Sequence, residues 1–170
     1  TIRNLELMYS SNEDATTLLD VMDETISPMG ARLMRRWIAL PLKEIKPIQE
    51  RLSAVEYLLN ENEIAKILRQ HISQIGDLER LISKVSTGRI NPRELKQLSL
   101  AMASLRPIKE SAKNSKNSTL NRIAEQMNLC KSLVQKIEGQ LQEEPPVLIQ
   151  KGNVINSGVN DELDELRKLQ

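Results

Sequence analysis

LLDVMDETISPMGARLMRRWIALPL, from Leu18 to Leu42, decides the fold: it spells two short amphipathic helices joined by a break at Ser27-Pro28. Ser27 can cap the second helix, with Pro28 at its first helical position. Leu33, Trp37 and Leu40 then recur at spacings of four and three, which places them on one face, while Arg32, Arg35 and Arg36 crowd another. Pro41 ends the segment, because the residue before a proline is biased out of the helical region.

The same period runs through most of the chain. Ile48, Leu52, Val55, Leu58 and Leu59 form one stripe, and Ile64, Ile67, Leu68, Ile72 and Ile75 form the next. Leu78, Leu81, Ile82 and Val85 follow, in a run that ends near Thr87-Gly88. Asn91-Pro92-Arg93-Glu94 combines a capping residue, a first-turn proline and a glutamate three positions after the cap, which is a helix start. Leu95, Leu98, Met102 and Leu105 supply its buried face. Lys113 to Ser118, KNSKNS, lacks periodicity and reads as an exposed loop. A single helix is expected from about Thr119 to Leu141, carried by Leu120, Ile123, Met127, Val134, Ile137 and Leu141.

Pro145-Pro146 stops that helix, and the period then changes. VLIQ and NVIN flank Lys151-Gly152, where glycine can take the positive φ of a tight turn, so a small β-hairpin is expected near Val147 to Asn156. From Asn160 a last helix begins, with Leu163, Leu166 and Leu169 on one side and no stop signal before Gln170. Together with a start at Thr1 rather than methionine, this reads as a segment of a longer protein. The fold class is all-α, a multi-helix bundle with one hairpin. No repeat of solenoid length recurs.

Composition limits what such a bundle can do. The chain has 170 residues, 39% hydrophobic and 28% charged, which suits a folded domain. Lys plus Arg number 24 against 23 Asp plus Glu, so no global positive field draws in nucleic acid. Tyr9, Trp37 and Tyr57 are the whole aromatic complement, too few for base-stacking platforms. Cys130 stands alone, which excludes an internal disulfide and gives no zinc pattern; it reads as a small buried apolar residue in a reducing cytoplasm. No apolar run approaches the roughly 20 residues of a membrane span.

The chemistry of catalysis finds no support. A phosphate-binding loop needs Gly-Lys after its spacer, and no Gly-Lys occurs. His71 is the one histidine, beside Leu68 and Ile72, so neither a catalytic triad nor a metal site has its partners. Glu143-Glu144 beside two prolines reads as a solvated turn. Neither a catalytic residue, a metal site nor a cofactor site is expected. The arginine group has two readings: Arg32, Arg35 and Arg36 on one helix face could contact DNA phosphates, or form a face salt-bridged to residues such as Asp20, Asp23 and Glu24. Lys43, Lys46 and Arg51 fall under the same two readings.

Read together, RNLEL (Arg3 to Leu7), the Leu18 to Leu42 stretch, ERLSAVEYLL (Glu50 to Leu59), IGDLERLISKVSTGRINPREL (Ile75 to Leu95) and EEPPVLIQKGNVINSGVNDELDELRKL (Glu143 to Leu169) resemble, in order, the core or lever region of the bacterial MutS family of DNA mismatch repair proteins. The resemblance covers nearly the whole chain; Lys96 to Gln142 is its longest stretch without a distinctive motif. It implies one core/lever domain over residues 1–170, with 159–170 beginning the lever helix that leads toward a DNA-gripping clamp. Mismatch reading and the ATP and Mg site belong to other domains of such proteins, so this segment would couple ATP-driven shape change to mismatched-DNA binding without chemistry of its own.

The implied partners are mismatched duplex DNA through the parent protein, other MutS domains, a homodimer partner and downstream repair proteins. The implied setting is the bacterial cytoplasm, nucleoid-associated when on DNA, with no membrane. The alternatives are a helical protein-interaction scaffold and a weak phosphate-backbone DNA-binding module.

Overall fold

The computed structural model describes residues 5–12 and 14–169. Ten α-helices occur among them: α1 Leu18–Met22, α2 Pro28–Ala39, α3 Ile45–Asn60, α4 Asn62–Ile75, α5 Leu78–Ser86, α6 Pro92–Ala103, α7 Leu105–Lys113, α8 Ser118–Gln126, α9 Lys131–Gln140 and α10 Asp161–Lys168. The all-α expectation holds. Of RNLEL, Arg3 and Asn4 lie outside the described residues; the Leu7 carbonyl accepts the Leu19 amide at 2.9 Å, which ties this segment to the start of α1.

Local start signals explain where the helices begin. Thr17 and Asp20 form a reciprocal capping box on α1, and Asn91 and Glu94 form one on α6. Ser27 Oγ accepts the Gly30 amide at 3.1 Å, with Pro28 at the first position of α2. Asn160 caps α10 through the Leu163 amide at 2.8 Å. The first turn of α10 is acidic and its last turn carries Arg167 and Lys168, which complements the helix dipole.

The chain forms two compact units. The first comprises residues 1–77 and 107–127, the second residues 78–106 and 128–170. In the first, α3 packs on α4 and α8, and α1 on α2. Its core gathers Ala112, Leu120 and Ala124, with Ala54, Tyr57 and Leu58 packed against them. In the second, α6 packs on α5 and α9, and Leu98, Ser99, Ala101, Ile137, Leu141 and Pro145 are buried. The buried face of α6 is thus centred on Leu98, Ser99 and Ala101, while Leu95, Met102 and Leu105 are half-buried.

The expected hairpin near Val147 to Asn156 is not formed. Ile149–Lys151 curls into a single 3-10 turn, with the Lys151 and Gly152 amides bonded back to the Leu148 and Ile149 carbonyls. The cause lies in the turn residues. A two-residue hairpin turn at Lys151-Gly152 would put lysine at positive φ, whereas Gly152 and Asn153 take that region at φ 70° and 51°. The shift of one residue takes VLIQ out of register. The NVIN arm pairs instead with the end of α9: Leu141 and Ile155 form an antiparallel bridge, flanked by Gln142 N to Val154 O and Asn156 N to Gln140 O.

Three further expectations are corrected. The helix from Thr119 to Leu141 is two helices, interrupted at Met127 to Cys130, where Cys130 adopts a left-handed φ of 46°. Cys130 is half-buried rather than buried. The KNSKNS loop is anchored: Ser115 and Asn117 are buried, and the Asn117 amide donates to the Ser53 carbonyl and hydroxyl at 3.2 and 3.0 Å. The same side chain accepts the Thr119 and Leu120 amides, so one asparagine both caps α8 and fastens it to α3.

Candidate nucleic-acid interface

The arginine group rises from the way α2 is built. With Pro28 and Ser27 fixing the first turn, Arg32, Arg35 and Arg36 follow at helical spacing and all three are exposed. A side chain at Gly30 would be crowded at that start. A Cβ there would stand 3.1 Å from Ser27 Oγ and 3.3 Å from Thr25 Cβ, pressing on the cap itself.

Charges nearby have already claimed part of the group. Arg32 grips Asp77 in a bidentate pair, Nη1 to Oδ2 at 3.0 Å and Nη2 to Oδ1 at 2.7 Å. Arg35 lies close enough to Asp20 to lower its pKa, although the bonds from the Thr17 hydroxyl and amide are what chiefly hold that carboxyl below the usual range. Arg36 sits in the last turn of α2, where a cation suits the helix dipole. A phosphate approaching this face must compete with Asp77 for Arg32.

The other basic candidates are dispersed. Arg51 stacks its guanidinium over the Trp37 ring, 3.5 Å from the centroid, a cation–π contact that covers part of the apolar face of α2. Lys43 and Lys46 are exposed, and Lys46 helps hold the Glu50 carboxyl below its ordinary pKa, after the stronger hydrogen bond from Arg122 at 2.8 Å. Sequence reasoning missed Asp77 as the partner of Arg32, since 45 positions separate them. It missed the Arg51–Trp37 stack for the same reason.

His71 is half-buried on α4, and Glu143 and Glu144 are exposed in the turn before Pro145. Among the described residues no group of three or more His, Cys, Asp or Glu could hold a metal ion. Among the described residues no helix is long and apolar enough to cross a membrane. An open groove of about 470 Å³ in the second unit is lined by Gln140, Ile155, Val159, Leu163 and Leu166. Its apolar wall includes Leu163 and Leu166 of α10, and Leu166 is 57% exposed.

Ten α-helices, with exposed apolar side chains along α2 and α10, define an all-helical module. Comparison with known proteins specifies it: the family model described as MutS domain III matches residues 1–169, and the chain belongs to that family. The DNA mismatch repair protein MutS of Phocaeicola vulgatus is 51% identical over 169 residues, covering 99% of this chain and 19% of that protein. Those of Bacteroides fragilis and Parabacteroides distasonis are each 50% identical over 169 residues, again 99% of this chain, and 20% and 19% of their own length. The chain thus spans about a fifth of the length of the curated relatives it matches.

Proposed function

We propose that this chain is the core/lever domain of a DNA mismatch repair protein and transmits ATP-driven shape change to mismatched-DNA binding, with no chemistry of its own. The observation that carries the reading is the family match from residue 1 to 169 at about half identity to mismatch repair proteins. The uncovered stripes support it physically. Leu33 on α2 with Leu40 at its C-cap, and Leu166 on α10 with Leu169 at its C-cap, are exposed at positions that helical spacing marks for packing, which suits a domain that works against neighbouring parts of a longer protein.

On this reading residues 1–170 act as one mechanical domain, with 159–170 starting the arm toward a DNA clamp. ATP and Mg belong to another domain of the parent. Its partners are mismatched duplex DNA, the remaining MutS domains, a second MutS subunit and downstream repair proteins, in the cytoplasm and on the nucleoid.

The test is uncoupling. Two glycines inserted after Asp164 break α10 at roughly 1 kcal/mol per glycine in a helix interior. In the parent protein, nucleotide hydrolysis and nucleotide-free mismatch affinity should survive, while the ATP-driven change in DNA affinity should disappear. Retention of that change in the insertion variant refutes the lever role. The subsidiary reading, weak phosphate contact by Arg32, Arg35 and Arg36, is measured by fluorescence anisotropy of this chain against matched and G·T-mismatched duplexes. Binding to both alike, weakened by salt and removed by Arg35→Glu with Arg36→Glu, supports it; no binding at low salt removes it.

A further inference from the structure

Within the second unit, apolar packing alone does not set the direction of α10. The helix buries none of its described residues, and the groove it lines with Ile155 leaves Leu163 half-buried and Leu166 exposed. Hydrophobic contact across such an open groove is non-directional, so it draws the helix inward without fixing an angle. A fixed angle has to come from polar groups with defined geometry.

Those groups form a continuous path. The Asn156 side chain donates to the Glu138 and Gly139 carbonyls at 3.2 and 3.0 Å, and its amide to the Gln140 carbonyl at 2.8 Å, filling acceptors that the end of α9 would otherwise leave open. The neighbouring Ile155 carbonyl accepts two donors, Gln142 Nε2 at 3.1 Å and Arg167 Nη2 at 2.8 Å. The other nitrogen of the same guanidinium, Nη1, reaches Asp164 Oδ1 at 3.0 Å, and Asp164 Oδ2 accepts the Gly158 amide. Gly158 takes φ 82°, which lets the chain turn before α10 begins. Arg167 and Asp164 are both half-buried, so solvent screens their pair less than a fully exposed one. Directed bonds thus run from the end of α9, itself packed on α6, through residues 155 and 156 to Arg167 and Asp164 on α10.

We infer that Arg167 is the positioning residue that sets the direction of α10 on the end of α9, its guanidinium fork spanning the Ile155 carbonyl and the Asp164 carboxylate. The requirement is for the fork and not for the charge. A guanidinium presents donors on separate nitrogens in one rigid plane, whereas a lysine ammonium is a single point that cannot span both acceptors. Lys168, in the same last turn and exposed, carries an equal charge but is not part of the bridge. In the proposed lever role, on whose truth this further step rests, the bridge is the fixed base from which α10 moves as a rigid piece.

The test is a distance measurement in the whole protein that carries this chain, with paired spin labels at the exposed positions Lys136 on α9 and Glu165 on α10. The unaltered protein should give one narrow distance. Arg167→Ala should broaden or shift it, and Arg167→Lys should do the same despite keeping the charge, while Lys168→Ala should leave it narrow. Circular dichroism and the melting midpoint report whether each variant is folded. An unchanged distance in folded Arg167→Ala overturns the inference, and so does a narrow distance restored by Arg167→Lys, which would leave only a charge at the helix end. If Arg167→Ala does not fold, Arg167→Lys decides alone: a broadened distance supports the bridge and an unchanged one overturns it. Failure of the lever role shows itself separately, as an ATP-driven change in DNA affinity that survives the two-glycine insertion after Asp164, and it leaves the distance result standing.

Discussion

Two helices of the same length and the same opening chemistry end in opposite environments. α2, Pro28–Ala39, and α6, Pro92–Ala103, each have proline at the first position and a side-chain cap, from Ser27 and Asn91. α6 buries Pro92, Leu98, Ser99 and Ala101; α2 has no buried residue, and its Leu33 and Trp37 are 46% and 39% exposed. Capping and proline placement decide that a helix starts. Whether its apolar stripe is buried depends on what the rest of the molecule sets against it, and for α6 that is α5 and α9. The asymmetry separates the residues that hold this chain together from those available to others.

The sharpest way to break the comparison is to truncate one leucine in each helix. Leu98→Ala should destabilise the chain by about 3 kcal/mol, the usual cost of a buried leucine truncation with its residual cavity, whereas Leu33→Ala should stay within roughly 0.5 kcal/mol. Urea denaturation of the two variants measures the difference. Similar losses for both would mean that Leu33 itself is buried in solution against part of the same chain.

A polar anchor should come next in size. Asn117→Ala removes the bonds to Ser53 and the cap of α8 together, and should cost about 2 kcal/mol by the same measurement. A loss below about 0.5 kcal/mol, the range of ordinary surface substitutions, would show that Ser115 to Asn117 is not held against α3 in solution.

The caps provide the control. Ser27→Ala and Asn91→Ala should each cost about 1 kcal/mol near neutral pH, despite the unequal burial of the helices they start. Smaller still is Ser99→Ala. The Ser99 hydroxyl is fully buried and finds no hydrogen-bond partner among the described residues, so its removal should be neutral or stabilise by up to about 1 kcal/mol. Destabilisation there would reveal an unrecognised partner for the hydroxyl.

These contrasts also mark how far the sequence could be read. Helix starts were legible because they rest on neighbours in sequence: Ser27-Pro28, the Asn91–Glu94 box and the Asn160 cap all stand where the pattern put them. Long-range polar partners were not, because Arg32 finds Asp77 and Asn117 finds Ser53 only after folding. Lys113 to Ser118 was read as exposed for that reason. The Thr119 to Leu141 stretch reads as one helix because Leu120, Ile123, Met127, Val134, Ile137 and Leu141 keep helical spacing, while Lys109 and Asn128, beside the interruption, act through a tertiary bond and a local turn. The arginine face was visible as a pattern, but its acidic surroundings were not.

The last contrast is electrostatic and separates the two caps by pH. Glu94 closes the α6 capping box, and its carboxyl lies below the ordinary glutamate value of 4.5, first through the hydrogen bond from Lys84 and then through the Asn91 amide. A carboxyl whose folded pKa is depressed contributes stability that is fully present above its unfolded value and is lost as pH falls through the folded one. Glu94→Gln should therefore be less stable than the parent near neutral pH, and the two should converge as pH falls below about 4.5 toward the folded pKa. α2 has no carboxylate in its first turn, so the penalty of Ser27→Ala should stay constant over the same range. Urea midpoints between about pH 6 and pH 3.5 distinguish the cases. A Glu94→Gln penalty that does not shrink on acidification would mean that the Lys84–Glu94 pair does not persist in solution, and the α6 start would then rest on Asn91 and Pro92 as simply as the α2 start rests on Ser27 and Pro28.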